Sequence, residues 1–201
     1  MDLWLATEVA ILLLGISQGI LAMFGRRCSW HVYIAMLLLI CAVSVRNALW
    51  GDLINNSVYI AFCVFGIKSW GAGRRISSGD ARSYAVSFLV CALLVAGMYF
   101  SLIHAHELMA FLKRDTVPFL DSLTTATSFV AMWHMMRKRT ECWIWWGVND
   151  LLYVAQFAVL AGCHAPLVWL NLMWFAMAVA SYLKWRSYEE KEDILRGEVP
   201  A

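Results

Sequence analysis

Seven long apolar runs alternate with short polar stretches along the chain, at about 3–23, 30–50, 54–72, 84–103, 117–136, 143–162 and 165–184. Each is close to the roughly 20 residues that a helix rising about 1.5 Å per residue needs to cross a bilayer core. The pattern therefore predicts seven transmembrane helices. Gly25-Arg26-Arg27, the stretch from Gly71 to Arg82 and Arg137-Lys138-Arg139 punctuate the runs, and a charged tail follows Lys184. Residues 71–83, rich in Gly, Ser and Arg, form the longest soluble loop of the first half, and no separate soluble domain or low-complexity tract is present.

Composition sharpens the picture. Of the 201 residues, 62% are hydrophobic and only 15% charged, against about 45–50% and 25% in soluble domains, and the mean hydropathy is +0.65. One soluble core of this size cannot hide so much apolar surface, so the fold class is an all-α polytopic membrane protein. The first run opens at Leu3 without a basic n-region or a small-residue cleavage site, which reads as a retained helix, not a signal peptide. A net charge of +2 with no basic stripe or recognition motif argues against nucleic acid as a partner.

Orientation follows from Lys and Arg. With seven crossings, Arg26, Arg27, Arg74, Arg75, Arg82, Arg137, Lys138, Arg139, Lys184, Arg186, Lys191 and Arg196 all fall on one side, and Lys113 and Arg114 are the loop cations opposite. The positive-inside rule puts the C-terminus in the cytoplasm and the N-terminus outside. The segment Glu189-Glu190-Lys191-Glu192-Asp193 reads as a solvated end, with the tail spanning 186–201.

An offset of 115 residues aligns the two halves without a gap: Trp30 with Trp145, Asn56 with Asn171, Tyr59 with Trp174, Trp70 with Trp185. Both copies share Asn-x2-aromatic-x10-Trp. The first copy spans helices 1–3 (about 3–72) and the second helices 5–7 (about 117–185). Three crossings end opposite to where they began, so a second triplet of the same orientation needs one crossing between. The apolar run 84–103 supplies it as a linker helix. The expected plan is two parallel three-helix repeats joined by a linker, 3+1+3, with a ligand held between repeats near the midplane.

Candidate chemistry is concentrated in Trp143-Ile-Trp-Trp146-Gly-Val-Asn149-Asp150. At about 100° per residue, Trp143, Trp146 and Asp150 share one helix face. A carboxylate in hydrocarbon is costly, which turns Asp150 toward the bundle interior or a wet cavity. Two indoles beside a buried acceptor suit a flat, polar, cationic ligand. Trp145 points elsewhere and reads as lipid-facing or packed. Helix 5 adds Asp121, Thr124, Thr125 and Ser128, and helices 3 and 7 add Asn56 and Asn171. Ser and Thr hydroxyls also satisfy backbone carbonyls, and Asp121 also fits a helix cap after Pro118. Trp70 and Trp185 fit either an interfacial anchor or a cavity wall. Glu8 lines an outer vestibule in this reading, and Arg46 either snorkels or pairs with an acid.

Other chemistry is not indicated. Cys28, Cys41, Cys63, Cys91, Cys142 and Cys163 are scattered without a CxxC pair and read as small buried hydrophobes. His104 and His106 beside Glu107 form a poor zinc pattern and read as loop residues. No HExxH, GxSxG or phosphate loop occurs, so neither an enzyme nor a bound metal or cofactor is expected.

Pro118-Phe-Leu-Asp121-Ser122, the basic Arg137-Lys-Arg and Trp143-x2-Trp146-x3-Asp150 resemble the second half of the PnuC-type vitamin transporters, whose signature on helix 6 is W-x2-W-x3-[N/D]. Phe65-Gly66-Ile-Lys-Ser-Trp70 is similar to that family's motif at the end of helix 3, and Glu8 to a Glu of its first helix. The resemblance implies a 3+1+3 bundle, a homotrimer, and facilitated diffusion of a vitamin or its precursor across a bacterial inner membrane, with a cytosolic kinase trapping the product. Nicotinamide riboside is the leading substrate; thiamine, riboflavin or another nucleoside is the alternative. The nicotinamide riboside type carries Asn where this chain has Asp150, and a carboxylate suits either of the cationic vitamins. In the implied site Trp143 and Trp146 stack the ring, Asp150 and Asn171 hydrogen-bond it, and Thr124, Thr125 and Asn56 contact sugar or amide groups, with Asp121 close by. A proton-coupled variant would draw on Glu8, Asp121 and Asp150. A non-transporting assembly or sensor subunit is the reading from another class, with the Trp and Asp residues as packing elements.

Overall fold

The computed structural model describes residues 3–47, 50–108, 118–163 and 166–196. Among them are seven helices: α1 (Leu3–Met23), α2 (Ser29–Arg46), α3 (Trp50–Gly71), α4 (Ala81–Leu108), α5 (Pro118–Met136), α6 (Glu141–Ala161) and α7 (Pro166–Arg196). All seven expected elements are present. By length and apolarity alone, α1, α2, α4 and α7 qualify as membrane spans. The other three are richer in polar residues: Asp52, Asn56 and Lys68 in α3, Asp121 and five hydroxyls in α5, and Glu141, Asn149 and Asp150 in α6. The protein is an all-α polytopic membrane protein.

Local chemistry explains most boundaries. Pro118 and Pro166 open α5 and α7, where a fixed φ and a missing N–H cost nothing. Asp80 precedes α4 and its Oδ1 accepts the Ser83 N–H at 2.9 Å, an N-cap. Two ends differ from expectation. The helix expected to stop near 103 runs on to Leu108, so His104 is helical and its ring meets Phe100 at 4.5 Å. The tail expected as a solvated end continues α7 to Arg196, helped by Arg186 pairing with Glu189 at 3.1 Å, three residues on. Lys113 and Arg114 lie outside the described residues, as do the side chains of His106 and Glu107.

The chain divides into two compact units. The first comprises Met1–Ser77, Met135–Arg139 and Ser181–Ala201. In it α1 packs on α2 and α2 on α3. Its core is aromatic: Trp30, Trp70 and Trp185 are all buried, with ring centroids 5.3 Å apart for Trp30–Trp70 and 5.9 Å for Trp70–Trp185. Gly66 is required there, because a Cβ would overlap the Trp30 ring. Arg46 is exposed and lies 3.6 Å above the Trp4 ring, so among the described residues its partner is an aromatic face.

The second unit comprises Ser78–His134 and Thr140–Ala180. Cys91 of α4, Ala126, Val130 and Ala131 of α5, and Trp145 of α6 form its core, with Leu94, Val95, Met98 and Trp146 packed against it. Ser87 and His134 join α4 to α5 by a buried hydrogen bond of 2.7 Å. The expected linker helix is thus an integral wall of this unit. Cys63, Cys91 and Cys142 are buried thiols, as expected, whereas Cys28 and Cys163 are exposed.

Candidate functional site

The face of α6 expected to carry the chemistry points inward. Trp143 is 6% exposed, Asp150 8%, and Trp146 is partly buried. The opposite stripe, Ile144, Val148, Leu151 and Val159, is exposed and wholly apolar, as a lipid-facing stripe must be. This phase follows from the sequence spacing alone. Gly147 brings α7 close: a Cβ there would meet the Phe175 ring at 3.5 Å and Ala178 at 3.9 Å, ordinary contact distances.

Asp150 is the unusual member. Among the described residues no hydrogen bond or ion pair reaches its carboxylate, although it is almost fully buried. Buried charges are ordinarily paired, and intramembrane ones mark a ligand path. Its neighbour Asn149 is differently employed, since its Oδ1 accepts the Thr127 hydroxyl at 2.8 Å and so ties α6 to α5.

The other expected residues divide. Asp121 reaches beyond its own helix: its carboxylate accepts the side-chain amide of Gln156, linking the start of α5 to the later part of α6. Gln156 escaped the sequence reading, though it falls six residues after Asp150, on the buried side of α6. Thr124 is buried and its hydroxyl turns onto its own helix, 3.0 Å from the Leu120 carbonyl. Thr125 is half-buried, and its carbonyl accepts the Ser128 hydroxyl at 2.8 Å. Asn171 is buried in α7 and donates from Nδ2 to the Leu167 carbonyl at 2.7 Å. Asn56 belongs to the first unit, where Nδ2 donates to the Asp52 carbonyl at the same 2.7 Å. Trp145 is packed in the core of the second unit, its ring centroid 5.1 Å from that of Phe88. Glu8 is exposed.

Glu141 was also missed. It is buried in the first turn of α6, where a negative charge meets the positive end of the helix dipole, and a Cβ at Gly79 would collide with its Oε1.

Aromatic rings and a buried carboxylate on one face of a membrane-spanning helix, with an apolar stripe behind them, are the equipment of a membrane carrier for a small polar solute. The chain belongs to the nicotinamide mononucleotide transporter family, whose profile matches residues 5–187. It is 25% identical over 197 residues to a nicotinamide riboside transporter PnuC of Neisseria mucosa, covering 92% of this chain and 72% of that protein. The crystal structure of the vitamin B3 transporter PnuC superposes with a TM-score of 0.71 at 20% identity, covering 94% of this chain and 83% of the other, and so shares its fold.

Proposed function

We propose that this protein carries nicotinamide riboside across the bacterial inner membrane by facilitated diffusion. The observation that carries the reading is Asp150, a buried carboxylate with no partner among the described residues, on the helix face that also bears Trp143 and Trp146. A flat cationic ring stacked on indole and held by a carboxylate supplies the missing charge. The related Neisseria mucosa protein is a nicotinamide riboside transporter, which agrees with that chemistry. Thiamine, also cationic, is the second substrate that the carboxylate favours; neutral riboflavin gains less from it.

In this reading the molecule is built as two parallel repeats, α1–α3 and α5–α7, with α4 between. Three matched features support it. Asn56 and Asn171 make the same bond to the carbonyl four residues before them. Gly25 and Lys138 end α1 and α5 in the same left-handed turn, at φ 64° and 51°. Trp70 and Trp185 cap the ends of α5 and α1 respectively. The arginine-rich loops set the orientation with the N-terminus outside and the C-terminus in the cytoplasm. The functional unit is a homotrimer, by resemblance, and a cytosolic kinase draws the flux inward by phosphorylating the product.

Calorimetry on the purified protein tests the proposal, with nicotinamide riboside, thiamine and riboflavin offered to wild type and to Trp146→Ala. Binding of nicotinamide riboside that is lost in the variant supports it. Preference for another of the three reassigns the substrate, and folded protein silent to all three sinks the reading. Light scattering of the same sample gives the oligomer directly.

A further inference from the structure

The first unit contains a concave site that shares no lining residue with the aromatic face. Arg74, Arg75, Ser77, Arg137 and Arg139 line a cavity of about 540 Å³. Four guanidinium groups thus face one recess. They come from two loops more than 60 residues apart (137 − 74 = 63), and the chain holds those loops together deliberately. Ser77 donates its N–H to the Lys138 carbonyl at 3.1 Å, and Ser77 pairs with Arg139 as an isolated parallel bridge. Lys138, in the left-handed turn between the two arginines, folds back over the Trp70 ring at 5.0 Å.

Like charges gathered this way oppose one another. The Arg137 guanidinium is held below its usual pKa, first by burial and then by the charges of Arg74 and Arg139. Planar forked donors of this kind match phosphate oxygens bidentately, and an anion among them turns the repulsion into attraction. The cavity opens one residue beyond the end of α5 and three beyond the end of α3, at the level where a membrane protein meets lipid phosphates. Its volume also exceeds the need of a bare phosphate ion.

We infer that this recess, lined by Arg74, Arg75, Ser77, Arg137 and Arg139, is a binding site for a phosphate ester, supplied either by an anionic lipid headgroup or by a soluble phosphomonoester. The inference does not depend on the transported substrate.

Two arms distinguish the sources. In one, the full chain is equilibrated with phosphatidylglycerol or phosphatidylcholine and retained lipid is read by native mass spectrometry. In the other, glycerol 3-phosphate is titrated calorimetrically into protein held in phosphatidylcholine nanodiscs. Wild type is compared with Arg74→Gln/Arg137→Gln and with Arg26→Gln/Arg82→Gln, which removes the same charge from outside the recess. A preference for the anionic lipid of about tenfold or more, lost only in the recess variant, establishes the lipid source. Calorimetric binding lost only in that variant establishes the soluble one. Equal losses in both variants reduce the effect to net charge and overturn the site, as does no preference in either arm. Arg74→Gln alone, on an exposed loop, serves if the double variant does not fold.

Discussion

Trp70 and Trp185 meet at a ring-centroid distance of 5.9 Å while their indole N–H groups point to two different helix ends. Trp70 donates to the Met135 carbonyl at 3.0 Å; Trp185 donates to the Ala22 and Met23 carbonyls at 3.2 and 3.0 Å. The Met135 carbonyl also accepts the Lys138 N–H, and the Ala22 carbonyl the Gly25 N–H, each from three residues on. The last turns of α1 and α5 are therefore closed in the same way, by one left-handed backbone turn and one buried indole. These carbonyls would otherwise lack an intrahelical partner.

Removing either indole N–H should expose that need. Trp70→Phe and Trp185→Phe keep an aromatic ring but remove one donor from the helix end, at a cost of about 0.5–1.5 kcal/mol each. Because the rings touch, the double variant should depart from additivity. Thermal unfolding in detergent of the two single variants and the double variant reads both effects; wild-type midpoints throughout would refute the capping role.

Asp150→Asn tests the charge rather than the shape of the site. The side chain keeps its size and one acceptor while losing the negative charge. Affinity for nicotinamide riboside should fall by about tenfold to a hundredfold, the equivalent of a charge-assisted hydrogen bond of about 1.5–3 kcal/mol. Riboflavin, if it binds, should change far less. An unaltered ranking of the three vitamins in calorimetry would remove the carboxylate from the recognition scheme.

Trp145 and Trp146 should separate stability from binding. Trp145 is 5% exposed in the core of its unit, so Trp145→Ala should cost about 3–5 kcal/mol of stability. Trp146→Ala should instead reduce ligand affinity by about tenfold to a hundredfold, if base–aromatic stacking is the guide. Paired melting and binding curves decide it, and equal loss of both quantities in the two variants would assign both rings to packing.

The helix count and the inward face of α6 were legible because both are periodic. An apolar run of membrane length and a Trp-x2-Trp-x3-Asp spacing each map onto geometry without tertiary information. What stayed hidden depends on partners distant in sequence. Nothing local in Trp70 or Trp185 shows which carbonyl an indole will reach, so anchor and cavity wall seemed the only choices, and the structure gives a third. Asp121 as a cap required only its neighbours; its bond to Gln156 required the packing of α5 on α6. The run of α7 past Lys184 was masked because a charged amphipathic helix loses its apolar signal where it leaves the hydrocarbon.

Two glycines of comparable sequence context should answer oppositely to one methyl group. Gly66 in α3 faces the Trp30 ring, which a Cβ would overlap, and that ring is itself fully buried between neighbours. Gly66→Ala should therefore force the aromatic core apart, at a cost of about 1–3 kcal/mol or more. Gly97 in α4 has nothing within 4 Å of an added Cβ and no special backbone conformation. Gly97→Ala should gain about 0.5–1 kcal/mol through helix propensity alone. A lower midpoint for the first and an equal or higher one for the second, measured side by side, is the expected result. Destabilisation by Gly97→Ala would mean that this face of α4 is covered in the membrane by another copy or by tightly bound lipid.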